Sequence, residues 1–402
     1  MLFLSVVCAL SAVAQIDAHK QCEMKRTEDN HTFEKWINSK ANKSAIELTY
    51  RIPVVVHVLH SSEPVGEGFN FSDERIVGQI RTLNEDFRKK EGTPGFNSHP
   101  DGADTQIEFV LAQIDPEGNP TNGIVRVDRN LVHSLPGASD ILVLSSRYSY
   151  WDPERYLNIW CWDIGFHTIY AGRSQFPVSD LEGLPQNEDI EADGIFINAV
   201  YFGEGENDTI PNFNMGRTLT HEMGHFLGLL HTFGPGGCNY TDYCEDTPPT
   251  SSATYRCQVP EPIACDGRPV MIENYMDYSY DRCMNIFTKD QTARMRIVLE
   301  NSPRRKSLIT SPVITGVDDI THALKIYPNP VTDKLYISIG EKVSNLDVNV
   351  TACTILGDLL FKKVYNLTGT EIEVSIAEVN EKIIILTIEG KGLSHRQLIM
   401  IN

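Results

Sequence analysis

Three histidines and a glutamate lie close together in residues 220–233. They fill the pattern H-E-x-x-H-x-x-G-x-x-H with His221, Glu222, His225, Gly228 and His231. On a helix of about 3.6 residues per turn, His221 and His225 lie one turn apart on one face, so both imidazoles can bind one zinc ion. Gly228 lets the chain leave the helix through a backbone conformation that a β-carbon disfavours, and the turn returns His231 as a third ligand. Three protein ligands leave a fourth position for water, which is typical of a catalytic zinc site.

Glu222 follows the first histidine and can reach a water on the zinc without binding the metal itself. This is the position of a general base that takes a proton from the water and passes it to the leaving amine. A bare H-E-x-x-H also occurs on ordinary amphipathic helices, but the added Gly228 and His231 favour the catalytic interpretation. The motif therefore predicts zinc-dependent hydrolysis of peptide bonds.

A second segment, N-Y-M-D-Y-S at residues 274–279, resembles the Met-turn that follows this zinc motif in metzincins. With it, the sequence resembles the pappalysin-type metzincins, the cytophagalysin family that includes ulilysin and mirolysin. Further stretches carry the resemblance: G-R-T at 216–218, D-T-P at 246–248, D-R-C at 281–283, I-P-V-V-V-H-V at 52–58 and D-P-E-G-N-P-T-N-G-I at 115–124. The resemblance implies a secreted zinc endopeptidase with a deep horizontal cleft.

The resemblance also implies roles for three residues near the Met-turn. Met276 would form an apolar floor beneath the metal, and Tyr278 would support the transition state by hydrogen bonding. Asp281 would lie at the bottom of the pocket for the residue after the cleaved bond. A carboxylate there favours Arg, and Lys less, because an ammonium group cannot form a bidentate fork. The alternatives are a core methionine, a packed aromatic ring and a solvated aspartate.

Nine cysteines are consistent with an exported protein. Six of them lie in the central region and allow fifteen pairings, among which the sequence alone cannot choose. The resemblance implies the bonds Cys238–Cys265 and Cys257–Cys283. We expect Cys161 to be a buried thiol in a strand, and Cys244 to be either a buried thiol or a member of an additional disulfide bond.

The loop after the zinc motif offers hard oxygen ligands within a few residues, at Asp242, Glu245, Asp246 and Thr247. Oxygen ligands of this kind suit calcium better than a transition metal. The resemblance also implies a calcium ion in a similar loop, with Asp242, Asp246 and Thr247 as its ligands. The alternative is an acidic surface loop without a metal.

The N-terminal part is predicted to be removed in two steps. Residues 1–14 are an apolar run ending in A-V-A, which indicates a secretory signal peptide. Residues 15–50 are polar and charged, and we interpret them as a pro-segment rather than part of a core. Cys22 stands alone within it, and its thiolate could bind the zinc in the latent enzyme. An incidental cysteine is the alternative.

The elements around the zinc helix follow from periodicity. A buried strand is expected at 53–59, a capped helix at 72–88, further strands at 107–114, 156–164 and 194–200, and a closing helix at 288–300. This order predicts an α/β (α+β) catalytic domain with a mixed sheet over residues 51–310. By resemblance, the stretch 194–202 before the zinc helix would form the upper rim of the cleft, where an extended peptide pairs.

Residues 311–321 are interpreted as a linker and 322–402 as a small all-β sandwich, with alternating strands and turns that carry Gly and Asn. The start Y-P-N-P-V resembles the C-terminal sorting domain of type IX secretion substrates. The segment K-I-I-I-L at 382–386 departs from that pattern, which has G-x-Y there, and the chain end lacks the usual lysines. An accessory binding domain is the alternative.

Composition limits the classes of partner. The net charge of −19 argues against nucleic acid or an anionic membrane, and no other stretch is apolar enough to span a bilayer. Protein or peptide substrates and the type IX secretion machinery are the expected partners of a secreted enzyme. Two rival functions are an inactive metzincin scaffold that serves as a surface binding protein, and a peptidase of broad specificity. An inactive scaffold usually lacks a ligand or the base, whereas this chain has all four residues.

Overall fold

The computed structural model describes residues 21–22, 30–40, 49–132, 136–165, 170–177, 189–205, 210–314, 325–354, 359–377, 379–390 and 393–401. The proposed signal peptide, residues 1–14, lies outside this part of the chain. The chain divides into two compact units, one of Met1–Phe109 with Ile124–Thr310, the other of Val110–Gly123 with Ser311–Asn402. No helix among the described residues is long and apolar enough to cross a membrane.

One mixed sheet forms the centre of the first unit. Over the described residues its strands are β1 (Gln21–Cys22), β2 (Tyr50–His60), β3 (Ile107–Leu111), β4 (Ile124–Asp128), β5 (Leu157–Trp162), β6 (Tyr170–Ser174) and β7 (Gly194–Asn198). Their order is β1-β6-β7-β5-β2-β3, and β4 also pairs with β2. Strands β2, β4, β5 and β7 run parallel, whereas β6 is antiparallel to β7. Every residue of β5 and β7 is buried, as expected for central parallel strands.

Six described helices accompany the strands: α1 (Asn30–Lys40), α2 (Asp73–Phe87), α3 (Ile141–Ser146), α4 (Arg217–Phe226), α5 (Lys289–Asn301) and α6 (Pro303–Leu308). Helix α2 begins after Ser72, whose hydroxyl accepts from the backbone N–H of Arg75. Helix α5 begins with a capping box formed by Thr288 and Gln291. The mixed α/β architecture predicted from the periodicity is confirmed, and the short elements β4, β6, α3 and α6 are additional to the prediction.

The prediction for the cleft rim is wrong. Strand β7 is hydrogen-bonded to β5 on one side and to β6 on the other, so it has no open edge for a peptide. The outer strand of the catalytic part is β6, which β1 of the N-terminal region covers in parallel. The sequence of β6, Y-A-G-R-S, contains only small and polar residues after its first position, so apolar periodicity did not reveal it.

The N-terminal region contributes to a core, contrary to our interpretation. In helix α1, Phe33, Trp36 and Ile37 are buried and pack with Val298 of α5. These three apolar residues follow helical spacing on one face. Their signal was weak in sequence because polar residues surround them within a single eleven-residue helix.

The second unit contains a five-stranded sheet of β8 (Lys325–Tyr327), β9 (Lys334–Thr354), β10 (Leu359–Ser375), β11 (Ile383–Gly390) and β12 (Leu393–Met400). The order is β10-β9-β11-β12, with β8 on β9, and every pairing is antiparallel. Both ends of the long β9 contribute to one apolar cluster, which includes Leu335, Ile337, Val348 and Val350. The all-β class predicted for this part is confirmed.

Candidate active site

The three histidines of the motif converge at the C-terminal end of helix α4. His221 and His225 are on the helix, and all three side chains are buried. Gly228 has a φ of +91°, so the chain turns there in the left-handed region and returns His231 to the other two. The Nε2 atom of His225 lies 3.1 Å from that of His221 and 3.0 Å from that of His231, and the third side of this triangle is 3.3 Å. The turn has the geometry that the sequence predicts.

Backbone carbonyls fix the orientation of two of these rings. His221 Nδ1 lies 2.6 Å from the carbonyl oxygen of Tyr275, and His225 Nδ1 lies 2.8 Å from that of Leu229. Because a carbonyl only accepts, each Nδ1 carries the proton and each Nε2 presents a lone pair.

This donor set fits a zinc ion. Tetrahedral zinc with Zn–N bonds of about 2.0–2.1 Å requires ligand nitrogens about 3.3 Å apart. The Nε2 triangle has nearly these dimensions, and carbonyl partners at Nδ1 are the usual support of zinc-binding histidines. Among the described residues, these histidines are also the group of His, Cys, Asp and Glu side chains close enough to hold a metal.

Glu222 is on helix α4, and its side chain packs against strand β6. Its side chain is buried, and Ser174 Oγ lies 2.8 Å from Glu222 Oε2 and 2.6 Å from its backbone oxygen. A Cβ at Gly172 would lie 2.6 Å from Cγ and 2.8 Å from Oε1 of Glu222. The carboxylate can therefore occupy this place only because β6 has a glycine there. No local sequence pattern indicates that Gly172 and Ser174 meet Glu222.

Met276 lies directly against the zinc helix. It is fully buried, and a Cβ at Gly224 would be only 2.3 Å from its sulfur atom. The Met-turn is held by Asn274, whose Oδ1 accepts from the backbone N–H of Met276 and whose amide is paired with Gln291. The side chain thus forms an apolar contact beneath the histidine-bearing turns of α4, and Gly224 makes room for it.

Tyr278 contacts the histidines from the side of the Met-turn. Its ring centroid is 5.6 Å from that of His221 and 4.9 Å from that of His231. Phe233 stacks on His231 at 4.7 Å and meets Tyr278 edge-on at 4.9 Å. The half-exposed ring of Tyr255 lies 6.1 Å from Tyr278. The predicted tyrosine is therefore one of several aromatic rings packed beside the three histidines.

Asp281 lies at the opposite end of helix α4. Its Oδ2 accepts hydrogen bonds from the backbone N–H groups of Met215 and Arg217 at 2.9 and 3.3 Å, and its backbone oxygen accepts from Arg217 Nη1. The residue is 1% exposed. A carboxylate at a helix N-terminus is stabilised there by the helix dipole. The structure therefore gives Asp281 a part in holding α4.

Two buried ion pairs, which no local sequence motif indicates, hold the two ends of helix α4. At the N-terminal end, Asp86 of α2 accepts from Arg217 and from Thr220 Oγ1, which lies 2.8 Å away. Burial raises the pKa of Asp86 to about 6, against the opposing effect of Arg217. At the C-terminal end, Arg305 donates to the carbonyl of Phe226 and pairs with Asp193.

The loop after the zinc motif brings two of its three predicted calcium ligands together. Thr247 Oγ1 lies 2.8 Å from both carboxylate oxygens of Asp242. Asp246 faces α5 instead, where its Oδ2 accepts from the backbone N–H of Asp290 and its own N–H donates to that residue's carboxylate. Burial raises the pKa of Asp242 to about 7.

Both disulfide bonds that the resemblance implies, Cys238–Cys265 and Cys257–Cys283, are present. Cys161 and Cys244 are free and buried, and burial raises the pKa of both thiols. The backbone of Cys22 is in β1, in register with Gly172 of β6. The backbone of β1 therefore passes directly opposite the glycine against which Glu222 packs.

Comparisons with known proteins agree with this geometry. Residues 145–300 match the model of peptidase family M43, described as "Pregnancy-associated plasma protein-A". An extracellular metalloprotease of Arthroderma benhamiae is 42% identical over 267 residues, which cover 65% of this chain and 83% of the relative. An extracellular metalloprotease of Colletotrichum graminicola is 32% identical over 258 residues, covering 62% and 76% respectively.

Solved structures are similar over the same region. A promirolysin mutant from Tannerella forsythia has 30% identity and a TM-score of 0.61, covering 72% of this chain and 97% of that one. Mature mirolysin in complex with a cleaved peptide has 34% identity and a TM-score of 0.54, covering 65% and 95%.

The C-terminal unit has its own match. Residues 325–402 fit the model described as "Secretion system C-terminal sorting domain", which confirms the interpretation of this unit as a type IX sorting domain despite its atypical segment at 382–386. Because the identity exceeds 30% and the match covers most of both extracellular metalloproteases, the catalytic part belongs to the same family as these enzymes. The chain belongs to the pappalysin-type peptidase family M43, and it is an extracellular zinc metalloendopeptidase with a C-terminal sorting domain.

Proposed function

We propose that Glu222 is the general base of peptide-bond hydrolysis and that Tyr278 stabilises the transition state. The observation that carries the proposal is the convergence of the three Nε2 atoms at the end of the helix that also bears Glu222. A zinc ion held there by His221, His225 and His231 supplies a Lewis acid and lowers the pKa of a bound water toward ~7.

The surrounding residues prepare Glu222 for proton transfer. Its carboxylate is buried beside Gly172 and receives a hydrogen bond from Ser174, so its position is fixed before substrate arrives. A carboxylate held in this way takes the proton of the attacking water and delivers it to the leaving amine. The contact of the Tyr278 ring with His221 and His231 supports the proposal that its hydroxyl donates a hydrogen bond to the developing negative charge.

We propose that the substrate pairs with β6. This strand is the outer strand of the catalytic sheet, and β1 of the N-terminal region adds to it in parallel. An extended substrate would take the same edge after the pro-segment leaves. The register that places Cys22 opposite Gly172 supports the proposal that Cys22 is the ligand that keeps the precursor latent.

For the residue after the cleaved bond we propose a preference for Arg, and less for Lys, determined by Asp281. The carboxylate is held in place by two backbone N–H groups, so its negative charge has a defined position. A guanidinium that reaches it gains charge-assisted hydrogen bonds. Since Asp281 is 1% exposed here, the proposal requires that a bound substrate opens a path to it.

Two peptides that differ only in Arg or Leu after the scissile bond test this preference. We expect the wild-type enzyme to favour the Arg peptide by about 30-fold or more in kcat/KM, since removing one partner of a buried charge pair costs about 2–5 kcal/mol. Asp281→Asn should abolish the preference, because it removes the negative charge. The local structure should remain, because the amide oxygen still accepts from the backbone N–H groups of Met215 and Arg217.

The matched control is Asp266→Asn, which removes an exposed acid from the disulfide-bonded loop and should keep the preference. Equal cleavage of both peptides by the wild type would leave the peptidase assignment standing and make the enzyme one of broad specificity. Retention of the full Arg preference by Asp281→Asn would remove this residue from substrate recognition.

We also propose that the loop of Asp242, Asp246 and Thr247 binds calcium, and that residues 51–310 form the mature catalytic domain, preceded by the pro-segment 15–50 and followed by the linker 311–321 and the sorting domain 322–402. The buried carboxylate of Asp242 and its contact with Thr247 support the first proposal. The match to residues 325–402 supports the position of the last boundary.

A further inference from the structure

Helix α1 of the proposed pro-segment packs on helix α5 of the catalytic unit. Its apolar side, Phe33, Trp36 and Ile37, packs on Val298 of α5. The ring of Phe33 also meets Phe176 edge-on at 5.2 Å, two residues beyond the end of β6. The contact surface therefore joins α5 to the chain that continues from the substrate-binding strand.

A buried ion pair lies within this contact. The two oxygens of Glu34 accept from Nη1 and Nη2 of Arg294 at 2.5 Å each, in a bidentate arrangement. Glu34 is 6% exposed and Arg294 is 4% exposed. The same guanidinium donates through Nε to the carbonyl of Gly228 at 2.7 Å. Arg294 thus connects the pro-segment to the turn that returns His231 to the metal site.

The chemistry of this surface selects its ligand. A buried guanidinium needs a carboxylate, and the apolar residues beside it need aromatic or aliphatic side chains. Helix α1 supplies both through the sequence F-E-K-W-I at 33–37. Removing the Glu34 carboxylate would leave the buried charge of Arg294 without its bidentate partner. This should strongly weaken the contact between α1 and α5.

We infer that the α5 face of Arg294, Ile297 and Val298, together with Phe176, is a docking surface for helix α1. The Glu34–Arg294 pair holds the pro-segment there without the Cys22 thiol. The inference rests on the proposed latency of the precursor and adds a second attachment point to it. Activation of the precursor then requires two separate events. The thiolate must leave the metal, and α1 must leave α5.

Glu34 is the residue to change, because a variant of Arg294 would also lose the Gly228 contact. The full chain carrying Glu222→Ala, which prevents self-cleavage, is compared with and without Glu34→Gln by hydrogen–deuterium exchange of the peptide that spans α1. We expect exchange in α1 to rise about tenfold or more. Lys35→Gln, an exposed neighbour on the same helix, is the matched control and should leave the exchange unchanged. Cys22→Ala should also leave α1 protected.

A second arm uses precursors with Glu222 intact and measures peptidase activity before processing, relative to the same sample after complete removal of the pro-segment. Cys22→Ala alone should remain partly latent, and Cys22→Ala with Glu34→Gln should reach the processed activity. If the processed wild type is inactive, the proposed function fails, whereas the exchange result still tests the docking surface.

Three outcomes would overturn the inference. Exchange in α1 could be the same in Glu34→Gln and Lys35→Gln, so that the ion pair holds nothing. Cys22→Ala could loosen α1 as much as Glu34→Gln does, so that the helix depends on the thiol. Finally, Cys22→Ala alone could reach full processed activity, so that docking of α1 contributes nothing to latency.

Discussion

Gly172 lies where strand β6 passes closest to the carboxylate of Glu222. The geometry leaves no room for a β-carbon, which would come within 3 Å of Cγ, Cδ and Oε1 of Glu222. Ser174, two residues further on the same side of the strand, binds the same carboxylate. The position of the proposed general base therefore depends on two small residues of a neighbouring strand.

Gly172→Ala should lower kcat/KM by about tenfold to 100-fold while the protein remains folded. Displacement of a catalytic group by about 1 Å is sufficient for an effect of this size. Gly137→Ala is the control, because a Cβ at Gly137 meets no atom within 4 Å. Steady-state kinetics together with a thermal melt of both variants is the measurement. Full activity in Gly172→Ala would show that Glu222 does not need its observed position.

At the scale of single residues, the sequence predicts the three histidines better than it predicts the residues that hold their helix in place. His221, His225 and His231 follow from one local motif, because a helix and a glycine turn place them together. Gly172, Asp86 and Arg305 are distant in sequence from residues 220–233, and nothing local indicates that they meet the zinc helix. Asp281 was predicted from resemblance alone, and its hydrogen bonds to the start of α4 became visible only in three dimensions.

Among the elements, the loop after the zinc motif takes part in two disulfide bonds and contains a buried acid. Cys238–Cys265 and Cys257–Cys283 close loops with separations of 27 and 26 residues, which restricts the unfolded chain. Within this loop, Asp242 is buried with Thr247, whereas Asp246 pairs with the first turn of α5. The loop and α5 are therefore connected through one of the acids that we assign to calcium.

Removing calcium while zinc stays bound should lower thermal stability and activity together. A ligand present at about 100 times its Kd stabilises the native state by about 2.7 kcal/mol. The measurement is a thermal melt with and without a calcium-selective chelator, at confirmed zinc content. Asp242→Asn should have a lower stability that no longer responds to calcium, although its amide oxygen can still accept from Thr247. A wild-type melt that is unchanged by calcium would leave this segment as an acidic loop.

Elements with strong periodicity or caps were predictable, and the edge strand was not. Ser72 caps α2 as predicted, and α5 begins near the predicted residue 288, where Thr288 is its cap. Strand β6 has little apolar content, and its place at the edge results from pairing with β7 across a long sequence separation. Tertiary pairing of this kind overrides local propensity.

At the scale of the whole molecule, the proposed linker at 311–321 begins with residues that make ordered contacts. Val313, within the proposed linker, is fully buried, and its carbonyl oxygen accepts from the backbone N–H groups of Gln113 and Ile114. Residues 110–123 and 311–402 accordingly belong to the same compact unit. Composition favours a linker at 311–321, because composition carries no information about contacts with residues distant in sequence.

A chain ending at residue 314 should be more stable than one ending at residue 310. Burial of a Val side chain contributes about 1.5–3 kcal/mol, and each hydrogen bond adds about 0.5–1.5 kcal/mol. Urea unfolding should therefore show a difference of about 2.5–6 kcal/mol, and Val313→Ala in the longer chain should lose part of this added stability. Identical urea midpoints of the two chains would mean that residues 311–314 behave as an ordinary linker.

The central claim is that a zinc ion on three histidines works with Glu222 as base, and one substitution tests it directly. Glu222→Gln keeps all three ligands and an oxygen that accepts from Ser174, so the purified protein should retain one zinc ion per chain. Its kcat/KM should fall by about 10²–10⁴-fold, the usual contribution of general acid–base catalysis. Glu117→Gln, at an exposed acid, should match the wild type in both zinc content and turnover. Substantial turnover in zinc-loaded Glu222→Gln, or activity in wild-type enzyme free of bound zinc, would contradict the account.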